Sequence, residues 1–364
     1  IKSSPTSATQ YMIRLWGVVA LPQGGFFVCW NRKVNSDDYP IMGRWYDVFN
    51  NPLGSEFKIN IDPGDAYLKS TSSSGTVGRC IATYDSSVVI TWSNKLTNSW
   101  KQGYFRIISP TANDPSTQNS DSNNIYPVLS VGTNTTHNSH SATPSVVELQ
   151  DGNLFFWHTK NYSIYNPKTS SWVIQNGSIN FTNSSNSSVV ASEQDKIGWV
   201  LLTLLDNGNI AFSERGAVGG YPGICFQIGK VNGTTVEIIK DTTKVNAETQ
   251  SMNNKHIWNT DILSINGGFI LVWFSPGVNK TYYRIYNNIG EPLTSQTLVS
   301  DTGNVMMPRI SKFDGYNGFE ITWNDTSTTN PGKFRTKQFK SKIFYKAEVS
   351  ESSLVSYDNN VITF

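Results

Sequence analysis

Cysteine, charge and long apolar runs are all scarce in this sequence. Three cysteines in 364 residues, Cys29, Cys80 and Cys225, show no C-x-x-C spacing, which argues against a thiolate zinc site. Charged residues make up 15% of the chain and the formal net charge is +2, so the balance of charge points to no polyanion partner. The one basic stretch, Lys333 to Lys346, alternates with aromatic and apolar residues and reads as the solvated face of a strand rather than a nucleic-acid patch. No apolar run approaches the roughly 18 residues of a helical membrane span, and membrane insertion is not expected. Helical periodicity is nearly missing too, which leaves an all-β chain.

What is abundant is a repeat. Seven times a short polar turn leads into a strand, and six of the seven strands end on an aromatic residue. The copies include Gly24-Gly25-Phe26-Phe27-Val28-Cys29-Trp30, Ser87 to Trp92, Gly152 to Trp157, Gly208 to Ser213, Gly268 to Trp273, Gly318 to Trp323 and Asn360 to Phe364. Their ends lie 62, 65, 56, 60, 50 and 41 residues apart, the length that a four-stranded sheet with its loops requires. Within a period, an apolar first strand precedes the aromatic-ended one, a Tyr/Phe-rich third strand follows, and an Asn/Gly turn returns the chain into a fourth. The second strands are apolar at successive positions, so both their faces are buried. Sheets stacked face to face satisfy that pattern, whereas a lone meander would leave one face wet. The predicted fold is therefore an all-β β-propeller of seven blades with the last incomplete. Six blades is the alternative if the final strand pair is an outer addition. Residues 11–364 form one domain in this reading, with residues 1–10 as an N-terminal tail or closing strand.

The run from Gly24 to Trp30, then Tyr46-Asp47-Val48-Phe49, then Gly54-Ser55-Glu56-Phe57-Lys58-Ile59-Asn60 resembles the tandem repeat of large secreted surface proteins of bacteria and ciliates. Units of that family run from Gly-Gly-Phe-Val-Val-Trp through a Tyr/Phe strand to Gly-x-Glu-Phe-x-Val-Asn. The likeness is strong only in the first repeat and in Gly267 to Val299. It implies secretion and a propeller-like or solenoid surface module, and no defined reaction.

Catalytic constellations are weak. The nearest stretch to the Ser-x-Asp-x-Gly-x-Thr-Trp turn of sialidases, Ser192 to Trp199, has the wrong spacing and lacks the threonine. Asp37 with Asp38, and Asp62 with Asp65, are close in sequence but read as solvated loop acids, whereas a glycosidase needs two carboxylates in one pocket. None of His137, His140, His158 or His256 is accompanied by a serine in a G-x-S-x-G elbow. Asp121 to Asn124 lacks the glycine and closing glutamate of a calcium loop, and the glycines from Gly216 to Gly223 lead into a strand rather than a helix. No catalytic residue, metal or cofactor is assigned, and no enzymatic activity is expected. Trp30, Trp92, Trp157, Trp273 and Trp323 could stack on sugar rings, but their spacing is that of the repeat, which favours packing between blades. Trp45, Trp100 and Trp172 lie off that register.

Nine N-x-S/T triplets occur, at Asn134, Asn161, Asn176, Asn180, Asn183, Asn186, Asn232, Asn279 and Asn324, about the number that chance gives for this composition. Their clustering from Asn176 to Ser188, in a polar loop, and the start at Ile1 without methionine favour a secreted, extracellular glycoprotein. A disulfide between Cys29 and Cys80 is geometrically allowed, because the two fall on neighbouring sheets, but buried free thiols are the favoured reading. Cys225 lies on a strand far from both. The last segment, Leu354 to Phe364, reads as the first two strands of an unfinished blade. The tail Ile1 to Gln10 either completes it within the molecule or pairs with a neighbour's edge, making a head-to-tail fibre. The functional expectation is a non-enzymatic structural component of a coat, matrix or filament. Its partners are other copies of itself or extracellular glycans and proteins. A carbohydrate-binding propeller, with aromatic and amide side chains converging on one face, is the alternative.

Overall fold

The computed structural model describes residues 14–31, 41–59, 77–95, 101–110, 125–128, 144–158, 161–178, 201–218, 221–246, 260–275, 280–300, 305–313, 318–325, 333–341, 356–358 and 361–363. Their secondary structure is entirely β. Six antiparallel meanders follow one another along the chain, and the architecture is a six-bladed β-propeller. Blade 1 holds β1 (Arg14–Ala20), β2 (Phe26–Asn31), β3 (Ile41–Tyr46) and β4 (Pro52–Lys58). Blade 2 holds β5 (Val77–Ala82), β6 (Val88–Lys95), β7 (Lys101–Ile108) and β8 (Ile125–Val128). Blade 3 holds β9 (Ser145–Glu148), β10 (Leu154–His158), β11 (Asn161–Asn166) and β12 (Ser171–Ser178). These three belong to one compact unit, and the remaining three to a second. In the second, blade 4 holds β13 (Leu201–Leu204), β14 (Ile210–Val218), β15 (Tyr221–Asn232) and β16 (Thr235–Lys244). Blade 5 holds β17 (Thr260–Ile265), β18 (Gly268–Ser275), β19 (Lys280–Asn287) and β20 (Thr297–Ser300). Blade 6 holds β21 (Val305–Phe313), β22 (Gly318–Asp325) and β23 (Lys333–Ser341), joined by the hairpin β24 (Ser356–Asp358) and β25 (Val361–Thr363).

Among the described residues there is no seventh blade. Its two strands are the outer addition that defines the six-bladed alternative: β25 pairs with β23 in parallel, Lys340 opposite Val361, and β24 closes antiparallel onto β25. The turn-plus-strand pattern is present in residues 354–364, but those strands join an existing sheet edge rather than starting a new sheet. The tail, residues 1–10, lies outside the described residues.

The turns explain the repeat. In five-residue turns the chain needs one left-handed residue before re-entering the sheet, and Gly24, Gly152 and Gly208 supply it at φ 99°, 84° and 82°. In blade 3, Leu149 N–H donates to Asn153 O at 2.8 Å and Gly152 N–H to Leu149 O at 2.9 Å, while Asp151 Oδ1 accepts from Asn153 N–H at 2.9 Å. Blade 2 builds the same turn with Ser86 at φ 66°.

The core lies between blades, not within them. Every residue of β18 is buried, and alternate residues point to opposite neighbours. Ile270, Val272 and Phe274 join Ile310, Phe319, Ile321 and Trp323 of blade 6, whereas Phe269, Leu271 and Trp273 join Ile224, Phe226 and Ile228 of blade 4. In the first unit β6 divides likewise. Val88, Ile90 and Trp92 pack with Phe27, Cys29 and Trp45 of blade 1, and Val89 packs with Val146, Leu154 and Phe156 of blade 3. The fourth strands mark the outer edge, for β12 and β16 alternate between exposed and partly buried residues. Polar staples cross the same seams. Thr91 Oγ1 donates to Pro144 O at 2.6 Å, Thr203 Oγ1 accepts from Ser264 N–H at 3.0 Å, and Asp261 Oδ2 accepts from Ile310 N–H at 3.2 Å.

Blades 1 and 2 also meet at Gly17. A Cβ there would stand 2.9 Å from Cys80 Cβ and 3.2 Å from Cys29 Sγ, so this close approach of β1 and β5 requires glycine. Cys29 is fully buried, Cys80 is partly exposed, and both are thiols.

Candidate functional site

The repeated tryptophans are packing residues. Trp92, Trp273 and Trp323 are buried in the inter-blade cores, as is the off-register Trp45; Trp157 is buried too, and Trp172 packs edge-on against Phe105 and Tyr165. Only Trp30 of the repeated set keeps part of its surface.

The turn from β5 to β6, Thr83-Tyr84-Asp85-Ser86-Ser87, presents an exposed aromatic residue. It opens blade 2's second strand, with Thr83 N–H donating to Ser87 O at 2.9 Å, and it turns the Tyr84 ring outward, 71% exposed. The Tyr84 backbone N–H donates to Glu148 Oε2 at 2.8 Å, which ties the turn to the end of β9 in blade 3. Asp85 Oδ1 accepts from Thr83 Oγ1 at 2.5 Å and from Ser87 N–H at 3.0 Å. The adjoining blade-3 turn exposes Gln150 and Asp151, with Asp151 Oδ2 accepting from Asn153 Nδ2 at 2.7 Å.

The two carboxylates are driven apart. Burial pushes Glu148 up from its ordinary range, and the nearby charge of Asp85 adds to that, against the opposing Tyr84 N–H bond. Burial alone would raise Asp85 as well, but the bonds from Thr83 and Ser87 outweigh it and hold Asp85 low. The arrangement is thus an exposed tyrosine in a turn with two carboxylates shifted in opposite directions, Asp85 down and Glu148 up. Sequence reasoning missed all three residues, since Tyr84 and Glu148 lie 64 positions apart. The only local signal was an aromatic placed in a turn.

The other expected positions are dispersed. Asp37, Asp38, Asp62, Asp65, His137, His140, His256, Trp100, residues 121–124 and residues 192–199 lie outside the described residues. His158 ends β10. Gly216 and Gly223 face each other across the β14–β15 hairpin, so the glycine-rich stretch is a strand connection. Of the sequon asparagines, Asn232 is exposed at the β15–β16 turn, where its Nδ2 donates to Glu237 Oε2 at 3.1 Å. Asn161 begins β11 and is partly exposed; Asn176 lies in β12 at φ 65°, and Asn324 lies in β22. Asn134, Asn180, Asn183, Asn186 and Asn279 lie outside the described residues. Among the described residues no group of three or more His, Cys, Asp or Glu is placed to hold a metal ion.

No family model and no curated protein matches the sequence. Among solved structures, a protein of unknown function from Dyadobacter fermentans is similar over 90% of this chain and 94% of its own, at 10% identity and a TM-score of 0.54, a likeness of fold. CoXyl43, a β-xylosidase/α-arabinofuranosidase from a compost microbial metagenome solved with xylotriose, matches 92% of this chain and 93% of its own at 9% identity, TM-score 0.37. The polysaccharide lyase Uly1 matches 88% of each chain at 9% identity, TM-score 0.40.

The expected role as a non-enzymatic coat, matrix or filament component is corrected here. The strand-exchange fibre on which it rested required an unfinished seventh blade, and the β24–β25 hairpin sits instead on the edge of blade 6.

Proposed function

We propose that this protein is a carbohydrate-binding β-propeller of the extracellular space. Tyr84, Glu148 and Asp85 form its sugar-contacting site, and glycans are its partners. The observation that supports the reading is an exposed Tyr84 whose backbone N–H is held by the Glu148 carboxylate. A phenol ring offers a flat apolar face to the C–H face of a pyranose, while the carboxylates accept hydrogen bonds from its hydroxyls. Gln150 and Asp151 on the adjoining turn extend the same edge with polar groups. The test is a glycan-array screen followed by calorimetry on the strongest hit. Tyr84→Ala is expected to weaken binding at least tenfold with the fold intact, and an unchanged affinity would place the sugar elsewhere.

A second reading, cleavage of the bound glycan, is favoured by the opposite shifts of the carboxylates. The carboxyl shifted up, Glu148, suits a general acid and the one shifted down, Asp85, suits a base or nucleophile. Incubation with polysaccharides and analysis for reducing ends or unsaturated products tests it. Glu148→Gln is expected to retain binding and lose cleavage, while a wild-type protein that binds but never cleaves leaves the binding role alone.

A further inference from the structure

We propose that Cys29 and Cys80 are the two halves of a redox-formed clamp between blades 1 and 2, closed by a small-molecule disulfide of the glutathione type. This modification site is independent of the sugar-binding reading.

Three observations carry it. The sulfurs converge on one point, because a Cβ placed on Gly17 would lie 3.2 Å from Cys29 Sγ and 3.7 Å from Cys80 Sγ. Cys29 also lies close enough to Cys80 to push the Cys80 thiol up. Their access also differs: Cys29 is fully buried in the inter-blade core, whereas Cys80, on the first strand of blade 2, keeps part of its surface. The Cys80 thiol is itself buried, so an oxidant has to enter the seam to reach it; Cys80, the less buried residue of the two, is then attacked first, with Cys29 behind it as the resolving thiol. Glycine at position 17 leaves the space over the pair empty of side chain. Cys225, on β15 of blade 4, is assigned no part in the clamp.

The chemistry balances as two thiol–disulfide exchanges. The Cys80 thiolate attacks the oxidant's S–S bond, forming a mixed disulfide and releasing one small thiolate. The Cys29 thiolate then attacks the Cys80 sulfur, forming the Cys29–Cys80 bond and releasing the second. Two electrons pass to the oxidant, which leaves as two thiols carrying the two cysteine protons. Burial pushes the Cys80 thiol well above its ordinary pKa, helped by the Cys29 contact, so the first exchange is slow at neutral pH and speeds as pH rises. A clamp closed in this way is expected in an oxidising compartment.

The test treats the full, folded chain with oxidised glutathione, blocks remaining thiols with iodoacetamide, and maps tryptic peptides without reduction. The expected product is one peptide pair joining the segment from Leu15 to Arg32 with the segment from Cys80 to Lys95, cleaved by dithiothreitol. Recovery of both cysteines alkylated, or of Cys80 as a lasting glutathione adduct, overturns the clamp. Cys29→Ser is expected to trap that adduct on Cys80. Should this variant misfold, the wild-type peptide map decides alone.

Discussion

Replacing Ile270 by alanine tests the division of faces on β18 directly. Ile270 is fully buried and belongs to the core shared with blade 6, while the next residue, Leu271, is equally buried in the core shared with blade 4. Each alanine substitution removes several buried methyl and methylene groups and leaves a cavity in a close-packed seam, so each is expected to cost about 2–5 kcal/mol. The discriminating quantity is coupling. Ile321→Val in blade 6 and Ile228→Val in blade 4 are mild partners, each costing about 0.5–1.5 kcal/mol. Ile270→Ala should couple to Ile321→Val by about 0.5 kcal/mol or more and add simply to Ile228→Val. Leu271→Ala should show the reverse. Urea unfolding followed by tryptophan fluorescence reads all four pairs. A swapped coupling pattern would falsify the register, because a one-residue slip of a strand exchanges its two faces.

Glu148→Gln should flatten part of the stability-versus-pH curve. A carboxyl raised in the folded state binds protons more tightly there than when unfolded, so wild-type stability falls as pH rises from the unfolded pKa through the folded one. The introduced amide cannot titrate, but its oxygen can still accept from the Tyr84 N–H, so the variant is expected to gain on wild type as pH rises; paired melts across the acid-to-neutral range check it. Ser86→Gly removes the penalty of a left-handed serine at φ 66° and should stabilise by about 1 kcal/mol, seen as a higher urea midpoint with unchanged slope. Asp206→Ala strips the Gly267 N–H, 2.6 Å away, and the Asn288 amide of their acceptor. It should cost about 1–2 kcal/mol, with Asp206→Asn milder, and hydrogen exchange at Gly267 is the sensitive readout.

Within each blade the chain order of strands was legible before any coordinates. Turn chemistry is local, as in Asp151-Gly152-Asn153, where one glycine at positive φ and one aspartate acceptor fix the chain reversal. The all-buried β18 was equally readable, since a strand apolar at successive positions has to be covered on both sides. The repeat spacing likewise pointed to packing between blades for the terminal tryptophans, and Trp92, Trp273 and Trp323 lie there.

Tertiary structure decided what depends on partners distant in the chain. Residues 356–363 carry the local pattern of a new blade, yet the free edge of β23 offered hydrogen-bonding groups that the hairpin satisfies, and no sequence window contains both. Tyr84 meets Glu148 only because blades 2 and 3 stack, and the raised carboxyl follows from the burial that stacking creates. Cys29 and Cys80 could be assigned to neighbouring sheets from the repeat, but Gly17, which lets their sulfurs converge, shows its purpose only when β1 and β5 are side by side. Local chemistry sets turns and faces, because their determinants lie within a few residues. Sites arise where separate blades meet, and that meeting is a property of the folded chain.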